Sequence, residues 1–144
     1  MRCPAFSSFA HVLVRVGAEF EGYLETLLVS WFRKGCPTLF SYLKALYRVE
    51  GKAQLIEGVL TRLVKGLRET SRFPSTPEGE KEPPTALLWA LYFSAYHEDI
   101  LGHTEDAIEL IDEAIAHTPT LVEVHMAKGR ILKVRFLCPL SCFY

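Results

Sequence analysis

Three histidines, His97, His103 and His117, are the residues of this chain best suited to acid–base chemistry. Imidazole exchanges a proton near neutral pH, but general acid–base catalysis also needs a nucleophile or a paired carboxylate within reach. No such partner stands at a fixed spacing from these histidines, and all three lie near expected helix ends. We therefore expect histidines of turns or of the surface, and no catalytic residue.

A row of four cations is the second chemical signal: Arg62, Lys65, Arg68 and Arg72. Their spacing places them on one side of a helix, while the apolar residues of the same stretch point elsewhere. Phosphate affinity scales with the number of cationic contacts, so the row could bind rRNA or an inositol phosphate. The alternative is a solvated outer helix face. No stacking aromatic is interleaved with the cations, which disfavours sequence-specific reading of RNA.

Charge is unevenly distributed around a formal net charge of −1. Residues 34–72 hold eight cations against three carboxylates, whereas residues 73–125 hold eleven carboxylates against one lysine. This asymmetry predicts two faces with different partners. Part of the negative charge forms an acidic helix face that is either simply solvated or a docking surface: Asp106, Glu109, Asp112 and Glu113.

Cysteine usage and glycine patterns disfavour metal and cofactor chemistry. The four cysteines are scattered, without a Cys-x-x-Cys pair or a histidine at zinc spacing, so we expect reduced thiols and no metal: Cys3, Cys36, Cys138 and Cys142. No glycine-rich turn is present that could hold the pyrophosphate of acetyl-CoA. The chain is therefore expected to be a non-enzyme without a cofactor.

Hydropathy predicts a cytoplasmic protein. No run of 18 or more apolar residues exists, and Ser7, Ser8 and His11 interrupt what would be the apolar part of a secretion signal. Neither a membrane nor DNA is expected as a partner.

Periodicity predicts helices throughout. Apolar residues recur at steps of three and four over 17–32, 38–47 and 52–71, and a proline-rich exposed loop follows at 73–85. Thr85 is the expected N-cap of a helix over 86–101 that is apolar on nearly every side and must be buried. Thr104 is the expected N-cap of the next helix, and Thr120 with Glu123 stands at capping-box spacing for another.

The most specific spacing belongs to a tetratricopeptide (TPR) repeat. A turn glycine, small or aliphatic contact residues and a final proline match its second half: Gly102, Ala107, Ile111, Ala114 and Pro119. Ala95 is the matching small residue of the preceding helix, and Gly129 takes the small position in the first helix of a second unit. The predicted fold is all-α, an α-solenoid of TPR-like antiparallel helix pairs.

Five segments follow from this pattern: an unmatched stretch over 1–16, degenerate TPR-like helices over 17–72, the loop 73–85, a repeat with one further helix over 86–133, and a divergent tail over 134–144. About three units are needed for a stable solenoid. We therefore expect the chain to be part of a longer solenoid or an alternative product of one.

Three stretches carry a family resemblance: KGCPTLFSYLKALY (34–47), EPPTALLW (82–89) and AIAHTPTLVE (114–123). With them the chain resembles the auxiliary subunit of the N-terminal acetyltransferase A complex from Gly17 to Lys133. The resemblance implies a non-catalytic TPR scaffold that encircles a GNAT-type catalytic subunit and tethers it to ribosomes, in support of co-translational N-terminal acetylation. Exposed apolar side chains of a concave face are expected to make the contact: Trp31, Phe32 and Phe40.

Two other readings remain open. One is a generic TPR adaptor that grips peptide tails, although 86–101 lacks the inward Lys, Arg and Asn typical of such adaptors. The other is a non-functional truncated product whose end faces stay exposed.

Overall fold

The computed structural model describes residues 18–34 and 52–141. Five helices occupy most of these ranges: α1 (Ala18–Lys34), α2 (Lys52–Thr70), α3 (Pro84–Ile100), α4 (Thr104–His117) and α5 (Val122–Ser141). The described residues contain no strand, so the all-α prediction is confirmed. The helix expected over 38–47 lies outside the described residues. The chain divides into two compact units, Met1–Leu87 and Leu88–Tyr144.

In the first unit, α1 packs against α2. Each helix turns one apolar stripe inward, as the three- and four-residue spacing of its large side chains requires. The most deeply buried members of the two stripes are Leu24, Leu28, Phe32, Ile56 and Leu63. Both helices agree with their predicted bounds to within two residues.

The loop between α2 and α3 is anchored by Phe73, whose side chain is fully buried. Its ends are joined by a hydrogen bond from the Glu82 amide to the Ser71 carbonyl, 2.7 Å long. Between these anchors residues 74–81 are exposed, and the loop ends at Pro83, two residues before the predicted end at 85. The prediction that Thr85 caps α3 is wrong, because the helix begins at Pro84. Proline suits the first helical position, where its missing N–H has no partner to lose and its fixed φ matches the helix.

The part of α3 that belongs to the second unit, from Leu88 onward, is largely buried. Leu88 and all residues from Ala90 to Ala95 are buried, so the expectation of an inner helix is confirmed. His97 is also buried, with 2% of its surface exposed, so the prediction of a turn or surface histidine is wrong for this residue. His97 stands one helical turn after Phe93 and Ser94, which are also buried, so its imidazole lies on a buried side of α3.

Gly102 makes the turn from α3 to α4 with φ +83°, in the left-handed region that glycine enters without strain. His103 then occupies the N-cap position, since its carbonyl accepts the Ala107 amide at 3.0 Å. Thr104 is the first helical residue and not the cap, so that prediction is wrong. The helix ends at His117, two residues before Pro119.

Helices α4 and α5 pack against each other through small and branched side chains. The buried residues of α4 are Ala107, Ile111 and Ala114, and those of α5 are Val124, Ala127 and Ile131. The predicted capping box is wrong, because α5 begins at Val122 and Thr120 stands outside the N-cap position. The helix continues to Ser141, into the segment assigned to the tail. Pro139 lies in its last turn, where it removes one backbone hydrogen bond.

Candidate functional site

The predicted basic row lies only partly on a helix. Arg62, Lys65 and Arg68 are exposed on α2, three residues apart. Arg72 follows the end of α2 at Thr70, is half-buried, and donates from Nε to the Gly79 carbonyl at 2.8 Å. Arg72 thus lies beyond the helix, where its guanidinium holds the backbone of the loop, and its part in phosphate binding remains a prediction.

The three remaining cations form a surface that we call the α2 basic row: Arg62, Lys65 and Arg68. Arg62 Nη2 lies 3.9 Å from Glu25 Oε2, and 55% of the Arg62 side chain is exposed. An exposed pair at this distance contributes little, so it leaves most of the charge of Arg62 available to a ligand. Whether the row binds phosphate remains a prediction.

A cleft runs between α1 and the α2–α3 loop, and no pattern in the sequence indicates it. Its volume is about 500 Å³, and it is lined by Gly22, Glu25, Thr26, Val29, Ser30, Arg33, Lys34, Ser75 and Thr76. Two cations and four hydroxyl groups thus face one space, which we call the α1–loop cleft. The two walls are more than forty residues apart in the chain, so no local spacing could have indicated it.

Arg33 links α1 to the far end of the same loop. Its Nε donates to Glu82 Oε2 at 3.0 Å and its Nη2 donates to Glu82 Oε1. The guanidinium carbon lies 5.4 Å from the centre of the Phe73 ring, within range of a cation–π interaction. The hydrogen bond to Glu82 raises the pKa of Arg33 further above its already high value, and burial opposes this effect. Arg33 is therefore a fixed positive charge.

The three histidines have different surroundings. Burial lowers the pKa of His97 to about 4, and the charge of His103 adds to the effect. His103 Nδ1 lies 2.7 Å from Glu98 Oε2 in the α3–α4 turn. Exposed His117 has Nδ1 2.8 Å from Thr118 Oγ1. Buried His97 is therefore neutral at physiological pH.

One group of side chains in the described ranges has the spacing of cation ligands. Atoms of Glu98, His103 and Asp106 lie within 4.8 Å of one another. Carboxylate oxygens and an imidazole nitrogen can hold a divalent cation. Exposed groups of this kind are common without an ion, and this cluster alone assigns no metal.

The acidic face predicted on α4 is exposed: Asp106, Glu109, Asp112 and Glu113. Asp112 Oδ1 accepts a hydrogen bond from Lys128 Nζ of α5 at 2.6 Å. This residue is thus engaged within the second unit. A docking role for the face remains a prediction.

The prediction that Trp31 and Phe32 contact a partner through exposed rings is wrong. Only 3% of Trp31 and 1% of Phe32 are exposed, because both belong to the stripe that α1 buries. Phe40 lies outside the described residues. The large apolar side chains that are exposed within the described ranges are Ile100, Val122 and Met126.

The residues proposed for repeat packing differ in their surroundings. Ala95, Ala107 and Ala114 have at most 1% of their surface exposed. Gly129 is exposed, and a Cβ added there would have no atom within 4 Å. The three alanines are thus placed for close helix contact, whereas Gly129 faces open space. None of the helices among the described residues is long and apolar enough to cross a membrane.

Comparison with known families and curated proteins gives consistent matches. The model of the family described as N-terminal acetyltransferase A, auxiliary subunit, matches residues 10–135. The chain is 42% identical over 117 residues to N-alpha-acetyltransferase 16, NatA auxiliary subunit, of Homo sapiens, covering 81% of this chain and 14% of that protein. It is 40% identical over 111 residues to the N-terminal acetyltransferase A complex auxiliary subunit NAA15 of Arabidopsis thaliana, covering 77% and 12%. The chain thus spans about a seventh of these relatives or less.

A solved structure shares the fold. A chain in the structure described as Naa15/Naa10 bound to HypK-THB aligns with a TM-score of 0.73 at 24% sequence identity. The alignment covers 90% of this chain and 18% of that chain. At this identity the match shows a common helical architecture.

Proposed function

Because the chain belongs to the N-terminal acetyltransferase A auxiliary subunit family, we propose that it is a non-catalytic scaffold segment that binds a GNAT-type catalytic subunit. The match of the family model over residues 10–135 carries this proposal. The chemistry of N-terminal acetylation would belong to the bound enzyme. The segment would contribute a shaped surface in the cytoplasm, where nascent chains emerge.

The helical architecture supports a scaffold role. The buried side chains of α1 and α2 form one packed layer and those of α4 and α5 another, so charged residues are held on stable helical surfaces. Such surfaces orient a partner through complementary charge. The solved relative supports the proposal by its description, since Naa15 is there in complex with Naa10.

Co-purification tests the proposal. A tagged catalytic subunit is mixed with the chain, and the complex is separated by size-exclusion chromatography. We expect the two proteins to elute together, and an unrelated TPR protein of similar size to elute apart from the enzyme. Separate elution of the chain from the enzyme would overturn the proposal. A broad, uncooperative thermal melt of the chain would favour the alternative of a non-functional product.

We further propose that the α2 basic row contacts ribosomal RNA. Three exposed cations within two helical turns support this role, as non-specific RNA affinity comes from phosphate neutralisation. The affinity should fall steeply as salt rises, and loss of each cationic contact should reduce the salt slope by about 1.

An anisotropy titration with an rRNA hairpin tests the role of this row. The Lys65→Ala/Arg68→Ala variant is expected to bind more weakly and with a shallower salt dependence. Lys128→Ala is the control, because Lys128 of α5 pairs with Asp112 of α4 and lies outside the α2 basic row. A salt response that is flat, or that changes as much in the control, would exclude the α2 basic row as an RNA contact.

A further inference from the structure

A threonine–proline pair stands at the exposed tip of the α2–α3 loop. Thr76 is exposed and is followed by Pro77, within a stretch from 74 to 81 that is exposed throughout. A serine or threonine that directly precedes proline is the acceptor sequence of proline-directed protein kinases. Exposed loops are also the segments that modifying enzymes reach most easily.

Two cations of α1 lie across the α1–loop cleft from this threonine. Thr76 lines the cleft together with Arg33 and Lys34, and the hydroxyl groups of Thr26 and Ser30 line it as well. Arginine and lysine side chains beside hydroxyl donors are the groups that bind a phosphate monoester. A phosphate on Thr76 would thus be attached at the rim of a space already lined with its ligands.

Two consecutive turns hold Thr76 in this position. Its amide donates to the Phe73 carbonyl at 3.0 Å, and its own carbonyl accepts the Gly79 amide at 3.2 Å. Phe73 is buried, so the first turn is fixed to the interior of the first unit. The backbone at Thr76 is therefore already fixed, and no long segment has to become ordered for the phosphate to reach α1.

We propose that Thr76 is a phosphorylation site and that its phosphate binds Arg33 and Lys34 in the α1–loop cleft. A phosphothreonine adds a charge of roughly −1.5 to −2 at neutral pH, along with strong acceptor oxygens. Glu25 also lines the cleft and repels such a group, and Arg33 already donates from Nε and Nη2 to the Glu82 carboxylate. The phosphate would therefore bind the Lys34 ammonium and the remaining N–H groups of the Arg33 guanidinium. Phosphorylation then tightens the loop against α1.

The transfer itself needs a kinase and a nucleoside triphosphate. Thr76 Oγ1 attacks the γ-phosphorus, and a bond forms between them as the bond from phosphorus to the β–γ bridging oxygen breaks. The nucleoside diphosphate leaves with the electron pair of that bond. The hydroxyl proton goes to the catalytic base of the kinase. The product is the chain with one phosphate monoester in place of the hydroxyl group.

The first experiment locates the phosphate. The folded chain is incubated with a proline-directed kinase and ATP, and the modified residue is mapped by mass spectrometry. We expect a phosphate mapped to Thr76, its retention at this position in Ser75→Ala and Thr76→Ser, and its loss from this position in Thr76→Ala. Thr118 also precedes a proline, so Thr118→Ala is included in each variant to leave Thr76 as the Thr-Pro acceptor. An unmodified Thr76 in the folded wild-type chain would overturn the proposal.

The second experiment measures whether the phosphate binds the cations. Phosphorus NMR titration gives the second pKa of the phosphate, roughly 6 when free. We expect that pKa to lie about half a unit or more below its value in a phosphorylated peptide of residues 70–83, because nearby cations favour the dianion. Lys34→Gln is expected to reduce the difference. Lys81→Gln, exposed in the same loop but outside the cleft lining, is expected to leave it unchanged.

Equal pKa values in the folded chain and the peptide would overturn the binding claim. An equal effect of Lys81→Gln and Lys34→Gln would do the same, since it would indicate general screening in place of a defined contact. Circular dichroism of each variant confirms that the comparison is made between folded chains. Neither experiment involves the catalytic subunit, so the outcome is independent of the proposed scaffold function.

Discussion

Arg33 of α1 and Glu82 of the α2–α3 loop form a two-pronged ion pair, with Arg33 Nε 3.0 Å from Glu82 Oε2. The two residues are 49 positions apart in the chain. The carboxylate side chain is 9% exposed and that of the arginine 44%. This pair joins the end of the loop to α1 and fixes the positive charge that borders the α1–loop cleft.

Replacement of Glu82 by glutamine tests the contribution of this pair. The Glu82→Gln variant keeps the shape of the side chain but removes its charge. It is expected to destabilise the chain by about 1 kcal/mol, and the effect is modest because the pair is only half shielded from solvent. Urea unfolding measures the change. Glu80→Gln, an exposed carboxylate of the same loop, is the control and should have no measurable effect. Equal stability of the two variants would contradict a structural role for the pair.

Two glycines of α2 are expected to respond in opposite directions to alanine. A Cβ at Gly58 would have nothing within 4 Å, so Gly58→Ala should stabilise the chain by about 0.5–1 kcal/mol through helix propensity. A Cβ at Gly66 would lie 2.9 Å from the Arg72 carbonyl oxygen and 3.0 Å from Pro74 Cδ. Gly66→Ala should therefore destabilise it by about 1–3 kcal/mol. Thermal unfolding measures the change in stability of each variant, and a stabilising Gly66→Ala would contradict this close contact between α2 and the loop.

His97 should make stability depend on pH. Its pKa is lowered from 6.5 to about 4 in the folded chain, so between these values the unfolded chain binds a proton that the folded chain does not. The contribution of His97 to stability is therefore constant above about pH 6.5 and falls as the pH drops toward 4, by up to roughly 1 kcal/mol per pH unit. His97→Gln should remove this slope in urea titrations, and His117→Gln, an exposed control, should keep it.

Asp99 adds a pH dependence of its own to the unfolding measurement on His97. Burial raises the pKa of Asp99, with Arg130 opposing the effect. Its protonation favours the folded state as the pH falls through the raised value, which is the opposite sign to His97. The difference between the wild-type chain and His97→Gln therefore isolates the histidine over the range between about pH 4 and 6.5 in which its titration acts, because Asp99 is present in both. An unchanged slope in His97→Gln within that range would contradict its burial as a neutral imidazole.

Periodicity predicts the bodies of the helices, but the predicted N-cap residues are wrong. Apolar spacing follows from the pitch of the helix, so the bodies of α1, α2 and α3 lie where the sequence placed them. Thr85, Thr104 and Thr120 were each expected to cap a helix, and none does so. Proline at the first position of α3 and the His103 backbone at the start of α4 determine the boundaries instead.

The candidate sites depend on contacts that no local pattern indicates. The ion pair of Arg33 with Glu82 and the α1–loop cleft both bring together residues more than forty positions apart. The surroundings of the Trp31 and Phe32 rings likewise depend on packing that residue type alone does not indicate. Their aromatic character suggested a docking surface, but their place on the inward stripe of α1 makes them core residues.

The scaffold account is tested most directly by measuring how the catalytic subunit binds two variants in which a buried or an exposed alanine of α4 is replaced by leucine. Ala114 is fully buried and Ala116 is exposed on the same helix, α4. Ala114→Leu should therefore overpack the contact between helices and lower the free energy of unfolding by about 1–3 kcal/mol, whereas Ala116→Leu should leave it unchanged. We predict by isothermal titration calorimetry that the wild-type chain and Ala116→Leu bind the enzyme with the same affinity and that Ala114→Leu binds more weakly. No binding by the wild-type chain, or equal affinity of the two variants, would contradict the account.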